Sequence, residues 1–292
     1  MKFTTPARRV LAAGAVSALA AGALVTTTAT TANAAPGSNV YSCTTSAGPQ
    51  NVTVDVDVPL IGAVTQLDAG QPVDPAVLPV TIEANLTFTI SNNFKLLLGS
   101  LGVQEMEVPA YGGDFGNSKI PVEAFAASVT DMTQNEDTTW SVDVTTPVIA
   151  FKAPAAGTAV PVQTPKKFGI VAQIGGEPAD VTCTRSDAAD VLTTIDVVKT
   201  ASTTTGKSAK RSFAKGTNAK VNVTVAGAYK KPSGQVILKK GTKTLDKGKL
   251  RKGKAVLSTK ALKVGKNKLT VIYKGDGYYT GSKDAVTVKV TR

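Results

Sequence analysis

Residues 265–292 read GKNKLTVIYKGDGYYTGSKDAVTVKVTR. Leu269, Val271 and Tyr273 recur at every second position before the Gly- and Tyr-rich middle, and Val286, Val288 and Val290 do so after it. Side chains in a strand point alternately to its two faces, so this spacing predicts two strands, each with one apolar face, joined at a corner. Lys266, Lys268, Lys274, Lys283, Lys289 and Arg292 are interleaved in the same stretch, so a basic surface accompanies the apolar one.

Working outward, residues 198–292 parse into about seven strands, at 198–205, 219–226, 234–240, 243–246, 254–259, 267–274 and 285–291. Turn signals recur every 8–12 residues or so, the spacing of an immunoglobulin-like sandwich. Three motifs carry a resemblance. They are Thr200-Ala201-Ser202-Thr203-Thr204-Thr205, Pro232-Ser233-Gly234-Gln235-Val236-Ile237-Leu238 and the corner Tyr273-Lys274-Gly275-Asp276-Gly277-Tyr278-Tyr279-Thr280-Gly281-Ser282. This segment resembles the bacterial immunoglobulin-like (Ig-like) domains of secreted and surface proteins. The resemblance implies a scaffold and says little about a ligand. It departs from the family in its loops, where lysine replaces neutral residues.

Charge is distributed unevenly along the 292 residues, whose formal net charge is +12. Residues 1–34 hold 3 basic residues and no acidic one, residues 35–197 hold 6 basic and 18 acidic, and residues 198–292 hold 24 basic and 3 acidic. The net charges are therefore −12 for the middle segment and +21 for the last. Such asymmetry points to an electrostatic partner or to contact between the two halves. Histidine is absent, which excludes His-based triads, imidazole acid–base chemistry and His-containing zinc sites.

Residues 1–34 are expected to be a cleaved export signal with a helical core. Lys2, Arg8 and Arg9 precede an apolar run at 10–25, and Ala32-Asn33-Ala34 forms a small-x-small cleavage site. The run is too short for a spanning helix, which needs roughly 18–20 residues, so no transmembrane segment is expected after cleavage. Arg8-Arg9 leaves both the general and the twin-arginine export routes open. Val40-Tyr41-Ser42 before Cys43 is not a lipobox, and neither a hydrophobic tail nor an LPxTG motif is found. The expected product is secreted and extracellular, and held non-covalently if it stays at the wall.

After a short tail at 35–38, residues 39–190 are expected to form an acidic β-sandwich-like domain, followed by a linker at 191–197 and the basic domain at 198–292. Together they make two β-sandwich-type domains in tandem, an all-β chain. Val52, Val54, Val56 and Val58 alternate with polar residues, as do Val80, Ile82, Ala84, Leu86, Phe88 and Ile90. Trp140, Val142 and Val144 make a third such set, and Phe168, Ile170, Ala172 and Ile174 a fourth. Phe94, Leu97, Leu98 and Leu101 have helical spacing, which predicts one short helix at 93–101. A helical turn is also read at 187–190. Cys43 and Cys183, the only cysteines, fall in what read as the first and last strands of this domain, and in an exported chain they are expected to form a disulfide. The framing cysteines, Pro59-Leu60-Ile61-Gly62 and the Leu/Gly-rich helical insert resemble a domain of unknown function of secreted actinobacterial proteins. That resemblance brings no activity with it.

Catalysis and ligand binding have few candidates. Glu105 and Glu107, like Asp55 and Asp57, stand two apart on strands and share a face, which would suit glycosidase acid–base work or Ca²⁺ if another group converged on them. The plainer reading is a solvated face opposite a valine face. No phosphate loop or nucleophile elbow is present; the chain is expected not to be an enzyme and to need no cofactor. Lys230, Lys231, Lys239, Lys240, Lys247, Lys249, Arg251, Lys252 and Lys254 crowd the turns and strands of the basic domain. They lack interleaved aromatics, so base stacking and sequence-specific nucleic-acid readout have no residues to work with. Three readings stay open. The lysines hold the protein on an anionic wall polymer or acidic glycan, they keep strand edges soluble, or they dock on the chain's own acidic domain. Function is therefore expected to be non-catalytic, binding or structural, at the cell envelope. The alternative is a carbohydrate-binding or weakly glycoside-processing accessory module using carboxylates of the acidic domain.

Overall fold

The computed structural model describes residues 36–59, 64–75 and 82–292. The expected export signal, Leu60-Ile61-Gly62, and Val80 and Thr81 of one alternating set lie outside the described residues. The chain runs through β1 (Gly37–Thr45), β2 (Gly48–Asp57), β3 (Gln66–Asp68), β4 (Pro72–Val73), β5 (Glu83–Ile90), α1 (Asn92–Ser100), β6 (Glu105–Val108), β7 (Gly112–Phe115) and β8 (Ser118–Pro121). It continues with β9 (Phe125–Ser128), β10 (Thr133–Gln134), β11 (Trp140–Pro147), β12 (Phe151–Lys152), β13 (Gly157–Gln163), β14 (Lys167–Ile174), β15 (Glu177–Arg185) and β16 (Val191–Val198). Among the described residues no helix is long and apolar enough to cross a membrane.

A nine-stranded sheet in the order β10-β11-β5-β2-β1-β15-β14-β6-β9 faces a five-stranded one, β3-β16-β13-β7-β8. The alternating sets fill the space between them, with Val52, Val54, Val56, Leu86, Phe88, Ile90, Phe168 and Ile170 all buried in one core. The large sheet curls until its ends approach. Val122, ahead of β9, bridges Val148, just past β11, with Glu123 N donating to Pro147 O at 2.9 Å and Ile149 N to Pro121 O at 3.0 Å. Helix α1 starts where Ser91 Oγ accepts from Phe94 N, buries Phe94 and Leu98 against this core, and stops at Gly102, whose φ of 69° only glycine adopts cheaply.

Three local expectations are corrected. The expected linker at 191–197 is strand β16, antiparallel to β13 and parallel to β3, with Leu192, Ile195 and Val197 buried. An apolar period of two without Gly or Pro suffices to pair it. The expected tail at 35–38 is already strand from Gly37. The turn at 187–190 is not helical, because Asp190 Oδ2 accepts from Ser38 N at 2.7 Å and Asp187 Oδ2 from Val40 N at 3.1 Å, pinning the segment to β1. Cys183 consequently lies in the next-to-last strand of this domain. There it stands directly opposite Cys43 in the β1–β15 ladder, and the two form a disulfide.

The second core belongs to β17 (Thr203–Ser208), β18 (Phe213–Ala214), β19 (Lys220–Ala226), β20 (Gln235–Lys240), β21 (Lys243–Lys249), β22 (Lys254–Ser258), β23 (Gly265–Tyr273) and β24 (Ser282–Thr291). They form two sheets, β17-β19-β22 and β18-β24-β23-β20-β21, packed as a sandwich around Val221, Val223, Val236, Leu238, Leu257, Val271 and Val288. Seven strands are substantial, and β18 adds a two-residue parallel pairing with β24. The first strand begins at Thr203 rather than 198. Val198 still belongs to β16, and Thr200 N donates to Tyr278 O while Thr280 N donates to Thr200 O.

Candidate functional site

The corner after β23 is built from the motif Y-K-G-D-G-Y-Y. Gly275 (φ 86°) turns the chain where a Cβ would meet Tyr279 O at 2.6 Å. The Asp276 carboxylate then gathers Ser233 N, Ser233 Oγ, Tyr278 N and Tyr279 N at 2.8–3.0 Å. Burial works against its ionisation, but these donors outweigh it and hold the pKa below the ordinary carboxylate value. Tyr279, fully buried, accepts from Tyr229 N (3.0 Å) and Lys230 N (2.7 Å) and donates to Lys230 O (2.6 Å). Tyr278 reaches the other way and packs against both cores. Beside it, Ala156 N donates to Gly277 O at 2.8 Å and Tyr229 Oη to Asp68 Oδ2 at 3.3 Å. The two domains thus meet through tyrosine, glycine and backbone groups.

Lys119 and Asp114 form a salt bridge inside the acidic domain. The three carboxylates of the basic domain are used structurally. Asp276 serves the corner. Asp246 accepts from Lys247 N and, at 2.7 Å, from Ser258 N of the facing sheet. Asp284 accepts from Ala285 N and, at 2.8 Å, from Gly206 N of β17. All three carboxylates are engaged by backbone amides at the sheet junctions or the corner.

Register then decides which lysines stand together. Residues directly opposite in antiparallel strands share a face. Ile272 is opposite Ile237 and Lys283, and Ile237 is opposite Lys247. Thr270 joins Lys239 to Ala285, Lys268 faces Thr287, Lys266 faces Lys289, and Gln235 faces Lys249. The outer face of the five-stranded sheet therefore carries Lys239, Lys247, Lys249, Lys266, Lys268, Lys283 and Lys289, and no acidic residue. Ile237 sits among them, 6% exposed yet outside the core cluster; long aliphatic stems on such a face cover apolar surface while their charges stay in water. The outer face of β17-β19-β22 carries only Lys207, Lys220 and Lys254 at equivalent positions.

The set read from turns is divided by the fold. Lys239 stands on the lysine face. Lys240, at the far end of β20, donates to Asn267 Oδ1 at 2.7 Å. Lys230 lies over the Tyr278 ring, 4.2 Å from its centroid. Lys230 and Lys231, in the loop before β20, neighbour the Arg251, Lys252 and Lys254 turn, where Gly253 N donates to Pro232 O. Alternation already singled out Lys266, Lys268, Lys283 and Lys289. Their union with Lys239, Lys247 and Lys249 depends on long-range register and could not be read from the chain.

The carboxylate candidates do not converge. Glu105 and Glu107 are exposed on β6 while Met106 and Val108 between them are buried, so both stand on the outer wall of the curled sheet. Asp55 and Asp57 stand likewise on β2, opposite Thr87 and Asn85. A surface groove between β9 and β11 is lined by Ser128, Asp131, Thr133, Ser141 and Asp143 and includes none of these four. Among the described residues no group of three or more potential ligands gathers to hold a metal.

Comparison with curated protein sequences finds no match. The Clostridium thermocellum CbhA fibronectin(III)-like modules align at 14% identity over 81% of this chain and 94% of that one, with a TM-score of 0.27. The N-terminal four Ig domains of Dscam1 isoform 8.4 align at 12% identity over 78% of this chain and 43% of that one, at 0.29. A Ruminococcus gnavus β-glucuronidase aligns at 7% identity over 86% and 43%, at 0.20. None of these three likenesses carries an argument about activity. Residues 199–291 match the bacterial Ig-like domain (group 3), in agreement with the sandwich and corner described above. Residues 40–193, more than half of the chain, match a family of unknown function, DUF6801, and the chain belongs to that family, with a bacterial Ig-like domain at its C-terminal end.

Proposed function

We propose that the protein is an exported, non-catalytic binding module whose Ig-like domain retains it on anionic polymers of the cell envelope, wall polymer or acidic glycan. The observation that carries this reading is the net charge of +21 on residues 198–292, whose three carboxylates are all engaged by backbone amides. Basic groups in such excess act together at a distance and release counterions when they meet a polyanion. The Cys43–Cys183 disulfide supports an oxidising compartment outside the cytosol. The Ig-like scaffold supports a binding or structural role rather than catalysis, although fold alone does not assign function.

The alternative built on Glu105 and Glu107 has lost its geometric basis, because paired carboxylate chemistry needs two groups converging on one substrate bond. The test is retention of the mature protein on isolated envelope material and acidic glycans in a salt series. Retention should collapse between low salt and about 0.5 M, where the Debye length has shrunk to a few ångströms. Retention that ignores salt would refute the proposal.

A further inference from the structure

We infer that the binding surface is the outer face of the β18-β24-β23-β20-β21 sheet and that its ligand is a flexible linear polymer of phosphate charges laid flat across the strands. This inference rests on the proposed polyanion binding and specifies where and to what. Neighbouring strands are about 4.8 Å apart and alternate residues along a strand about 6.7 Å. By register, Lys247 and Lys283 are three strand spacings apart, with Ile237 and Ile272 between them, while Lys266 and Lys289 close the other end. The lysines frame the face rather than converging on a point.

That arrangement selects among anions. A compact anion needs several donors within hydrogen-bond reach of one centre, usually with free backbone amides. Here β20 between Val236 and Lys239 and β23 between Thr270 and Tyr273 are paired with a strand on each side. A polymer with charges several ångströms apart can meet one lysine after another. The centre of the face presents Ile237, Ile272, Thr270, Thr287 and Ala285, small aliphatic and hydroxyl surface suited to the carbon backbone of a polyol or sugar phosphate. No aromatic side chain stands there to stack a base, so nucleic acid would gain only its phosphate contacts. Bulky side chains able to enter a bilayer are missing from it too.

Two variants of the full mature chain with equal loss of charge separate the face from the loops. One carries Lys247→Gln, Lys249→Gln, Lys266→Gln, Lys268→Gln and Lys289→Gln; the other carries Lys230→Gln, Lys231→Gln, Arg251→Gln, Lys252→Gln and Lys254→Gln. The probes are long-chain linear polyphosphate, inorganic phosphate, oligothymidylate and vesicles rich in anionic lipid, with folding of both variants checked by circular dichroism. Each lost phosphate contact costs roughly a factor of five at about 0.1 M salt. The face variant should therefore bind polyphosphate roughly 100-fold or more weakly, with a flatter salt slope, while the loop variant changes by less than about fivefold. Inorganic phosphate should not bind measurably. Equal losses in the two variants, or a larger loss in the loop variant, would overturn the face assignment and leave polyanion binding intact. Tighter binding to vesicles than to polyphosphate would overturn the ligand class, and tighter binding to oligothymidylate than to polyphosphate would overturn the exclusion of base contacts. A wild-type chain that binds none of the polyanions would refute the proposed function itself.

Discussion

Replacing Tyr279 by Phe removes one oxygen that serves three backbone groups: Tyr229 N, Lys230 N and Lys230 O. The ring is fully buried and stays in place, so packing changes little. Each polar group left unsatisfied when buried costs about 1–3 kcal/mol. The loop at 229–230 is partly exposed, so water can restore some of the bonds. The net loss is then about 2–4 kcal/mol, from a domain whose whole stability is on the order of 5–10 kcal/mol. Tyr273→Phe supplies the matched control. That ring lies in the same core, 1% exposed, but its hydroxyl has no hydrogen-bond partner, and removing an unpaired buried polar group should be neutral within about 0.5 kcal/mol or slightly stabilising. Urea unfolding of the mature chain separates the domains, because the one tryptophan, Trp140, reports only the acidic domain whereas far-UV circular dichroism reports both. Tyr279→Phe should shift the dichroism transition that has no tryptophan counterpart, and Tyr273→Phe should not. Equal shifts in the two variants would show that the corner is held by ring packing, and the hydrogen-bond account would be wrong.

Three other perturbations follow from the same contacts. Gly227→Ala would place a Cβ 2.3 Å from the Tyr279 ring; overpacking of this kind costs about 1–3 kcal/mol, measurable in the same urea titration, and no loss would mean the ring has room to move. Asp276 has a lowered folded pKa, so the stability it contributes is complete above the unfolded aspartate value of about 3.9 and is lost as pH falls through the lower folded value. The stability gap between wild type and Asp276→Asn should accordingly narrow on acidification from pH ~5 to ~2, and a constant gap would count against the capping role. Replacing both Cys43 and Cys183 by Ser opens a linkage spanning 140 residues, worth up to about 5 kcal/mol in the chain-entropy model. The tryptophan-reported transition should fall while the basic domain is unmoved, and a fall in both would mean that the domains unfold as one unit.

Much of the scaffold was legible because strand periodicity is a local signal. The valines of 286–290 and 52–56 are buried where alternation puts them, and helical spacing found α1 to within a residue at each end. Legibility failed where a segment's fate depended on a distant partner. Residues 191–197 look like a connector until β13 and β3 are there to pair with them, and Asp187 and Asp190 favour a helical turn until β1 offers its amides. At the candidate site, loop clusters such as Lys230-Lys231 and Arg251-Lys252 are conspicuous in the sequence because they are contiguous. Lys239, Lys247, Lys268 and Lys283 come from four separate strands, and only the ladders place them on one face. The uses of Asp246, Asp276 and Asp284 were invisible for the same reason, since each caps a segment far along the chain.

The face also bears on whether lysine is present merely for solubility. Protection against edge-to-edge pairing requires charge on strands whose backbone is open to a newcomer. That accounts for Lys243, Lys247 and Lys249 on β21 and for Lys254 on β22, each a sheet edge. Strand β23 pairs with β24 along its whole length but with β20 only at Thr270–Tyr273. Edge protection therefore extends to Lys266 and Lys268 as well and leaves the facing Lys266–Lys289 pair to be explained. Lys266 stands directly opposite Lys289, and like charges placed so oppose the folded state. A sandwich needing only solubility could place Thr or Glu at either position and relieve the repulsion. Mutually repelling lysines placed opposite one another on one face are what a surface that meets an outside polyanion requires, since the ligand's charge cancels the repulsion on binding. Lys266→Thr with Lys268→Thr should therefore leave the free protein equally or more stable in urea while weakening its hold on polyphosphate. A loss of stability instead would return these lysines to the scaffold.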